Sequence, residues 1–305
     1  MVTRLGMLAD DLSGACDAGV QFAERGISTI VWLDPEPREG AQLTVVTTNS
    51  RNDPPEGARR KVADACRILG TVVFKKIDST LYGNIVPEIE AALDACGFTE
   101  AWVAPAFPAQ GRTVVEGWLR VEASARRVHL PTLLGGHPRI RWFDTATEGD
   151  LAHVARLAFQ TEPRPLLVGS AGLAREVAAL LPVRQAVPPV HHPCHGEVLF
   201  VIGSTNPVTL AQVDYLKSHR PEAEVTTSAD LVMRPPIRAL VLSGGDTALE
   251  ACRALGVTGI RLHREILPGI PLGTLVGGSH DGLTVVAKAG GFGAVDALAA
   301  ILEAV

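Results

Sequence analysis

The stretch Leu5–Gly26, LGMLADDLSGACDAGVQFAERG, decides how the rest of the chain is read. Leu5 to Ala9 is an apolar run with the length of a buried strand. It stops at two adjacent carboxylates, Asp10 and Asp11. Ser13 and Gly14 follow, and then apolar residues at Ala15, Ala18, Val20, Phe22 and Ala23 mark a helical face. Gly26 stands where the C′ glycine of that helix belongs. A strand therefore delivers two acids to its carboxyl end just ahead of a helix, the edge at which open α/β sheets bind ligands. Asp11 or Ser13 would serve as a helix cap. Capping uses one acid; two beside a small-residue turn point to a functional site.

Outward from this unit the pattern repeats. Strand-like runs at Ile27–Leu33, Leu43–Thr47, Thr71–Phe74 and Ala101–Ala104 alternate with helix-like segments at Glu56–Leu69, Ile85–Cys96 and Asp150–Phe159. Leu166–Val168 and Ala171–Leu181 add a further strand and helix. Such alternation predicts a parallel sheet covered by helices. Pro182–Gly196 then holds four prolines without periodicity, which marks a linker. A second α/β unit follows, with strands at Val198–Ile202, Arg238–Leu242, Gly259–Leu262 and Leu283–Ala287. Its helices are Pro207–Lys217, Thr247–Leu255 and Phe292–Leu302. The expected fold is α/β in two domains, 1–182 and 197–305 around a linker at 183–196, each a mostly parallel sheet flanked by helices.

Composition narrows the function. The chain has 305 residues, 47% of them hydrophobic, enough to bury two cores. A net charge of −5 without any Lys/Arg block argues against nucleic acid and anionic membrane as partners. No apolar run approaches the roughly 18 residues that span a bilayer, and Asp10 and Asp11 interrupt the place of an export signal. Five scattered cysteines without a C-x-x-C pair fit a reduced, cytoplasmic protein.

Further polar clusters sit at strand ends. FKKIDSTLYGN (Phe74–Asn84) ends a strand in Lys75, Lys76 and Asp78, a cation pair beside an acid that suits an anionic substrate. PAFPAQGRT (Pro105–Thr113) is a stiffened loop whose one charge, Arg112, could clamp a carboxylate. TTNSR (Thr47–Arg51) repeats the arrangement. A solvated turn accounts for any one of them; four strands ending alike on one edge is the stronger sign. The second half instead ends strands in glycine: VIGST (Val201–Thr205), LSGGDT (Leu242–Thr247) and KAGGFG (Lys288–Gly293). Glycine lets phosphate approach the backbone, and a following helix N-terminus supplies donors. These loops predict nucleotide phosphates, though neither a P-loop nor a G-x-G-x-x-G is present. His191, His192, Cys194 and His195 have spacing of interest to zinc, but they lie in the linker without a second ligand cluster. The acids from Asp144 to Asp150 read as a structural helix start.

Together these motifs resemble the four-carbon acid sugar kinases, once catalogued only as a domain of unknown function. ADD-x-[TS]-G-A-x-D is matched by Ala9–Asp17, and K-K-x-D-S-T-L-R-G-N by Lys75–Asn84 save at one position. PAFPAQGRT, DTATEGDL (Asp144–Leu151) and VGSAGLA (Val168–Ala174) resemble the rest of the sugar-acid domain. GSTNPVTLAQ (Gly203–Gln212), SGGDTA (Ser243–Ala248) and KAGGFG resemble the nucleotide motifs. The resemblance implies an active site in the cleft between domains, and ATP-dependent phosphorylation of a hydroxyl, the terminal 4-OH, of threonate, erythronate or an oxo-tetronate, with Mg²⁺. It places Ser204, Ser243, Gly244, Gly245, Asp246, Thr247, Gly290 and Gly291 at the nucleotide. Asp10, Asp11, Lys76 and Asp78 fall at the chemistry; of the two adjacent acids, Asp11 ahead of Asp10 is read as the carboxylate that orients or deprotonates the acceptor. Arg51, Lys75, Arg112, Asn84 and Tyr82 fall around the sugar acid. Which residues hold the metal is left open, and a homo-oligomer is compatible with all of this.

Two departures bear on substrate. Tyr82 stands where the family motif has arginine, so Arg51 or another cation has to reach the carboxylate, and Tyr82→Arg is expected to improve weak activity on threonate and erythronate. The chain is also short for the family, with about forty residues between Ser204 and Gly244. A binding or regulatory protein without catalysis, or an ATP-dependent ligase releasing AMP, are the rival readings.

Overall fold

Strand β1 (Leu5–Ala9) is buried from Gly6 onward, as its unbroken apolar run requires. The computed structural model describes residues 5–34, 40–69, 71–122, 124–182, 196–228, 230–233 and 236–305. The expected linker and its His191, His192, Cys194 and His195 lie outside them, Gly196 excepted. On one side β1 pairs in parallel with β3 (Leu43–Thr47), and β2 (Thr29–Trp32) lies beyond. On the other it pairs with β4 (Val72–Lys76), followed by β10 (Leu166–Gly169), β5 (Ala101–Ala104) and β9 (Ile140–Trp142), all parallel. Chain order departs from β1 in both directions, which puts a topological switch point at its carboxyl end.

The second half repeats the scheme. Strands β12 (Glu224–Thr226), β11 (Glu197–Ile202), β13 (Ile237–Ser243) and β16 (Thr284–Lys288) are parallel in that spatial order, with a second switch point between β11 and β13. The halves are joined as one thirteen-stranded sheet. Strands β14 (Gly259–Leu267) and β15 (Ile270–Val276) form a hairpin turned at Pro268–Gly269, with Gly269 at φ +77°. β15 pairs with β16, and β14 lies antiparallel to β2, with Leu262 opposite Thr29. The hairpin reverses strand sense, so β13 runs against β1 within the sheet. The six steps separating them, at about 20–25° of twist each, swing the two carboxyl ends back toward one another.

Helix α1 (Leu12–Ala23) is buried from Leu12 to Phe22 and packs on α6 (Ala171–Leu180), β14 and α8 (Gly245–Ala254). It is more than the one-faced helix expected: Ser13, Asp17 and Gln21, spaced by four, form a buried polar stripe. Helix α2 (Pro55–Leu69) packs on α3 (Ile85–Cys96). Thr147 and Asp150 form a capping box on α5 (Glu148–Gln160), the structural role expected for that cluster.

Two expectations change. PAFPAQGRT is not all loop: a 3₁₀ turn at Pro108–Gln110 leads at Arg112 into β6 (Arg112–Val115), which with β7 (Trp118–Val121) and β8 (Arg127–His129) makes a small antiparallel sheet. The last helix begins at Ala297, not Phe292, as α9 (Ala297–Ala304). Gly290, Gly291 and Gly293 leave the preceding segment irregular, and Phe292 turns edge-on to Phe107 of the first half. Among the described residues no helix is long and apolar enough to cross a membrane.

Candidate active site

At the end of β1 the two acids divide their work. Asp11 is the N-cap of α1: its Oδ1 accepts from Gly14 N at 2.9 Å and its Oδ2 from the Ser13 hydroxyl at 2.6 Å. Asp10 is buried and gripped by Arg51, with Nε to Oδ2 at 2.8 Å and Nη2 to Oδ1 at 2.9 Å. Burial works to raise the Asp10 pKa, but Arg51, with Lys75 and Lys76 behind it, overrides this and holds it at about 2. Arg51 Nη2 also donates to Asp11 Oδ1 at 2.8 Å, and Nη1 lies 3.6 Å from Asp78. Three carboxylates thus surround Arg51. Arg51 fixes the two acids and also stands on the cavity wall, where the sequence expects it to meet a substrate carboxylate.

Lys75 and Lys76 are neighbours on a strand, so they face opposite sides of the sheet. Lys76 reaches the cavity; Lys75 is fully buried against Glu88 of α3, Nζ to Oε2 2.6 Å, and does not line it. Ser50 also donates to Glu88. Lys75 therefore braces the fold rather than contacting substrate. Asn84 does not line the cavity: its amide donates to the Ser50 and Asp53 carbonyls at 2.9 Å each and pins the Arg51 loop. Asp78 Oδ1 accepts from the Thr80 N–H and hydroxyl, which shapes the turn along the cavity wall.

Arg112 is the contrasting arginine. It is 8% exposed, its Nη1 donates to the Gln110 carbonyl at 3.0 Å, and its Nε has no hydrogen-bond partner among the described residues. Its guanidinium lies 4.7 Å from the centre of the Phe292 ring. Burial lowers its pKa, with Asp78 and Asp17 partly offsetting that. Tyr82 is 58% exposed at the rim, and the Arg126 guanidinium lies 3.8 Å from its ring centre, with Nε donating to the Thr80 carbonyl. Arg126, which arrives just ahead of β8, gave no sign in the sequence beyond its charge.

The glycine loops close the cavity from the other half. Asn206 caps α7 (Pro207–His219), accepting from Val208 N at 2.9 Å. Ser204 Oγ accepts from Asn206 N and Thr209, and a Cβ on Gly290 would stand 2.2 Å from it, so the β11 and β16 loops touch backbone to side chain. A Cβ on Gly203 would strike Thr247 Oγ1 at 1.9 Å, which ties the β11 loop to α8 as well. Gly244, at φ +104°, turns the chain from β13 into α8. Ser243 is buried with its hydroxyl unpartnered among the described residues, and the exposed Asp246 accepts from Asn52 of the first half at 3.2 Å. Lys288 is buried beside these loops and, among the described residues, donates to the carbonyls of Ala289 and Gly290. Burial brings its pKa down to about 8.

The two sets of loops share one cavity of about 270 Å³. From the first half its wall includes Asp11, Asp17, Arg51, Lys76, Asp78 and Arg112; from the second, Asn206, Gly245, Gly290, Gly291 and Phe292. Asp17 received no role from the sequence beyond ending the first motif. It is 4% exposed, and its Oδ1 has no hydrogen-bond partner among the described residues. Burial pushes its pKa up to about 7, with Glu265 and Asp11 adding to the rise and Lys76 and Arg112 opposing it. The signal that could have found it is the Ser13–Asp17–Gln21 spacing, an acid on a helix whose other faces are apolar.

Comparison with known proteins places the two halves. Residues 5–134 match the model of a sugar-binding N-terminal domain, and residues 222–298 that of a nucleotide-binding C-terminal domain. A D-threonate kinase of Bordetella bronchiseptica is 31% identical over 394 aligned positions, which take in 99% of this chain and 97% of the relative. A D-erythronate kinase of Heliobacterium modesticaldum is 26% identical, over 95% of this chain and 94% of the relative. Alignments longer than the chain mean that these relatives carry segments this chain lacks. A solved Salmonella typhimurium protein has the same fold, with a TM-score of 0.75 at 19% identity and 99% of both chains covered.

Proposed function

We propose that this chain, which belongs to the four-carbon acid sugar kinases and so is a phosphotransferase with an alcohol acceptor, uses ATP to phosphorylate the terminal hydroxyl of a sugar acid such as threonate, erythronate or an oxo-tetronate. The observation that carries this reading is the shared cavity, with an under-partnered arginine on one wall and glycine loops on the other. Phosphoryl transfer asks a protein chiefly to position two reactants and neutralise charge. Arg112 is the guanidinium with donors to spare for a substrate carboxylate, and Lys76 adds a second positive charge. Asp10 and Arg51 act indirectly, by holding Asp11 and the α1 N-terminus in place.

The α7 and α8 N-termini, with the loops at Ser204, Gly244, Gly245 and Gly290, present backbone donors where nucleotide phosphates would lie. Among the described residues no three His, Cys, Asp or Glu side chains converge on a metal position. Mg²⁺ would arrive with the phosphates, as it commonly does, and Asp78 on the cavity wall would share it. Bound there, it would supply charge neutralisation between phosphate oxygens.

Titration calorimetry with Mg·ATP, followed by ADP release over a panel of C3–C6 sugar acids, tests the reading. Saturable ATP binding and ADP formation confined to four-carbon acids are expected. ATP binding without turnover of any acid would favour a regulatory protein, and no binding at millimolar ATP would remove the kinase reading.

A further inference from the structure

The first motif carries three acids, and the structure leaves one of them chemically uncommitted. Asp10 is held by two bonds from Arg51; Asp11 takes the Gly14 N–H, the Ser13 hydroxyl and Arg51. A base must have a free lone pair aimed at the reacting hydroxyl. Both of those carboxylates are pinned by structural donors, Asp10 by a two-pronged ion pair and Asp11 by three donors. Asp17, in the second turn of α1, is buried, lines the cavity and keeps Oδ1 unpartnered among the described residues.

We propose that Asp17 is the catalytic base: its carboxylate accepts the proton of the acceptor hydroxyl as that oxygen bonds to the γ-phosphorus and the bond from phosphorus to the ADP oxygen breaks. The electron pair of that broken bond leaves on ADP, and the proton passes from Asp17 to solvent after product departs. This rests on the kinase reading and moves the base from Asp11, where the motif first suggested it, to the third acid. The charges facing Asp17 come from four directions: Lys76 from β4, Arg112 from β6, Glu265 from β14 and Asp11 from the head of its own helix. The thiol of its neighbour Cys16, pushed well up by burial, stays protonated and adds no charge. Lys76 and Arg112 also flank the place where substrate charge would be held, so the acceptor and its base lie against the same wall. A carboxylate that takes up a proton near neutrality is matched to working at cellular pH.

The test is the pH dependence of kcat in wild type, Asp17→Asn and Asp11→Asn, each assayed by phosphate-ester formation. Wild-type log kcat should rise with pH and level off near 7. Asp17→Asn should lose about 10²–10⁴-fold in kcat, lose that rise, and bind ATP as wild type does in calorimetry. Asp11→Asn should keep the rise. Asp17→Asn within tenfold of wild type, or with the rise intact, would overturn the proposal. Should Asp17→Asn not fold, the wild-type profile still decides: a flat kcat between pH 6 and 8 rules Asp17 out. Absence of any phosphate ester from wild type would instead remove the kinase reading, and Asp17's role with it.

Discussion

A Cβ on Gly245 would stand 2.6 Å from Asp11 Oδ2. The first residue of α8 and the N-cap of α1 therefore touch, so the glycine loops are seated directly on the acid cluster. The space is too small for a methyl group, and relieving such overpacking commonly costs about 1–3 kcal/mol. Gly245→Ala should push the halves apart and lower kcat/KM for ATP about 10- to 100-fold, read by steady-state kinetics. Unchanged kinetics would mean that this contact does not set the working geometry.

Asp10 gives a pH signature of stability. Its pKa is depressed from 3.8 to about 2, so its contribution is present above the ordinary value and is lost as pH falls toward 2. That difference corresponds to about 2 kcal/mol. Asp10→Asn, which also takes away one of the three carboxylates around Arg51, should lower the melting temperature at pH 7, with the deficit shrinking by pH 3. An equal deficit at both pH values would contradict it.

Asp17 predicts the opposite slope. Its pKa is raised from 3.8 to about 7, so its contribution is fully present below 3.8 and is lost as pH rises through 7. Asparagine stays neutral throughout. Asp17→Asn should therefore gain in melting temperature over wild type as pH rises from 4 to 7 and hold that gain above it, with a ceiling of about 4 kcal/mol. Melting curves at pH 4, 6 and 8 read this without any assay of activity.

Tyr82→Arg alone, expected from the motif to help, meets an obstacle in Arg126. The Arg126 guanidinium already covers the ring, at 3.8 Å from its centre, so a second guanidinium would stand beside the first. Arg126 is not itself on the cavity wall, but it lies against Tyr82 and Thr80, which are; if its charge takes the place of the motif arginine, Arg126→Ala should weaken kcat/KM on threonate and erythronate about ten- to a hundredfold, the worth of a charge-assisted bond. Tyr82→Arg in the Arg126→Ala background should restore it, and Tyr82→Arg by itself should bring no gain. The reverse pattern across the four proteins would show that Arg126 stays out of recognition.

Much of this was legible in the residues. The bounds of β1, β3, β5 and α3 follow from apolar runs and caps, and the strand ends named loops that meet at one cavity. The alternation of a strand separates Lys75 from Lys76 on period alone, although two adjacent lysines read first as a pair. What could not be read is which segments meet. Nothing in Gly259–Leu267 announces that it pairs with Thr29–Trp32, because periodicity describes a strand's faces and not its partner. The same limit hid Arg126 behind Tyr82 and left Asp11, not Asp17, as the apparent base. Partnering decides which acid is free, and partnering is a property of the fold.

The most direct test is ³¹P spectroscopy of the purified protein with Mg·ATP and threonate, erythronate or an oxo-tetronate in turn. A phosphomonoester signal split by the two protons of a terminal carbon should appear as ADP accumulates. AMP with pyrophosphate, or ATP left intact with every acid, would contradict phosphorylation of a four-carbon sugar acid by this cavity.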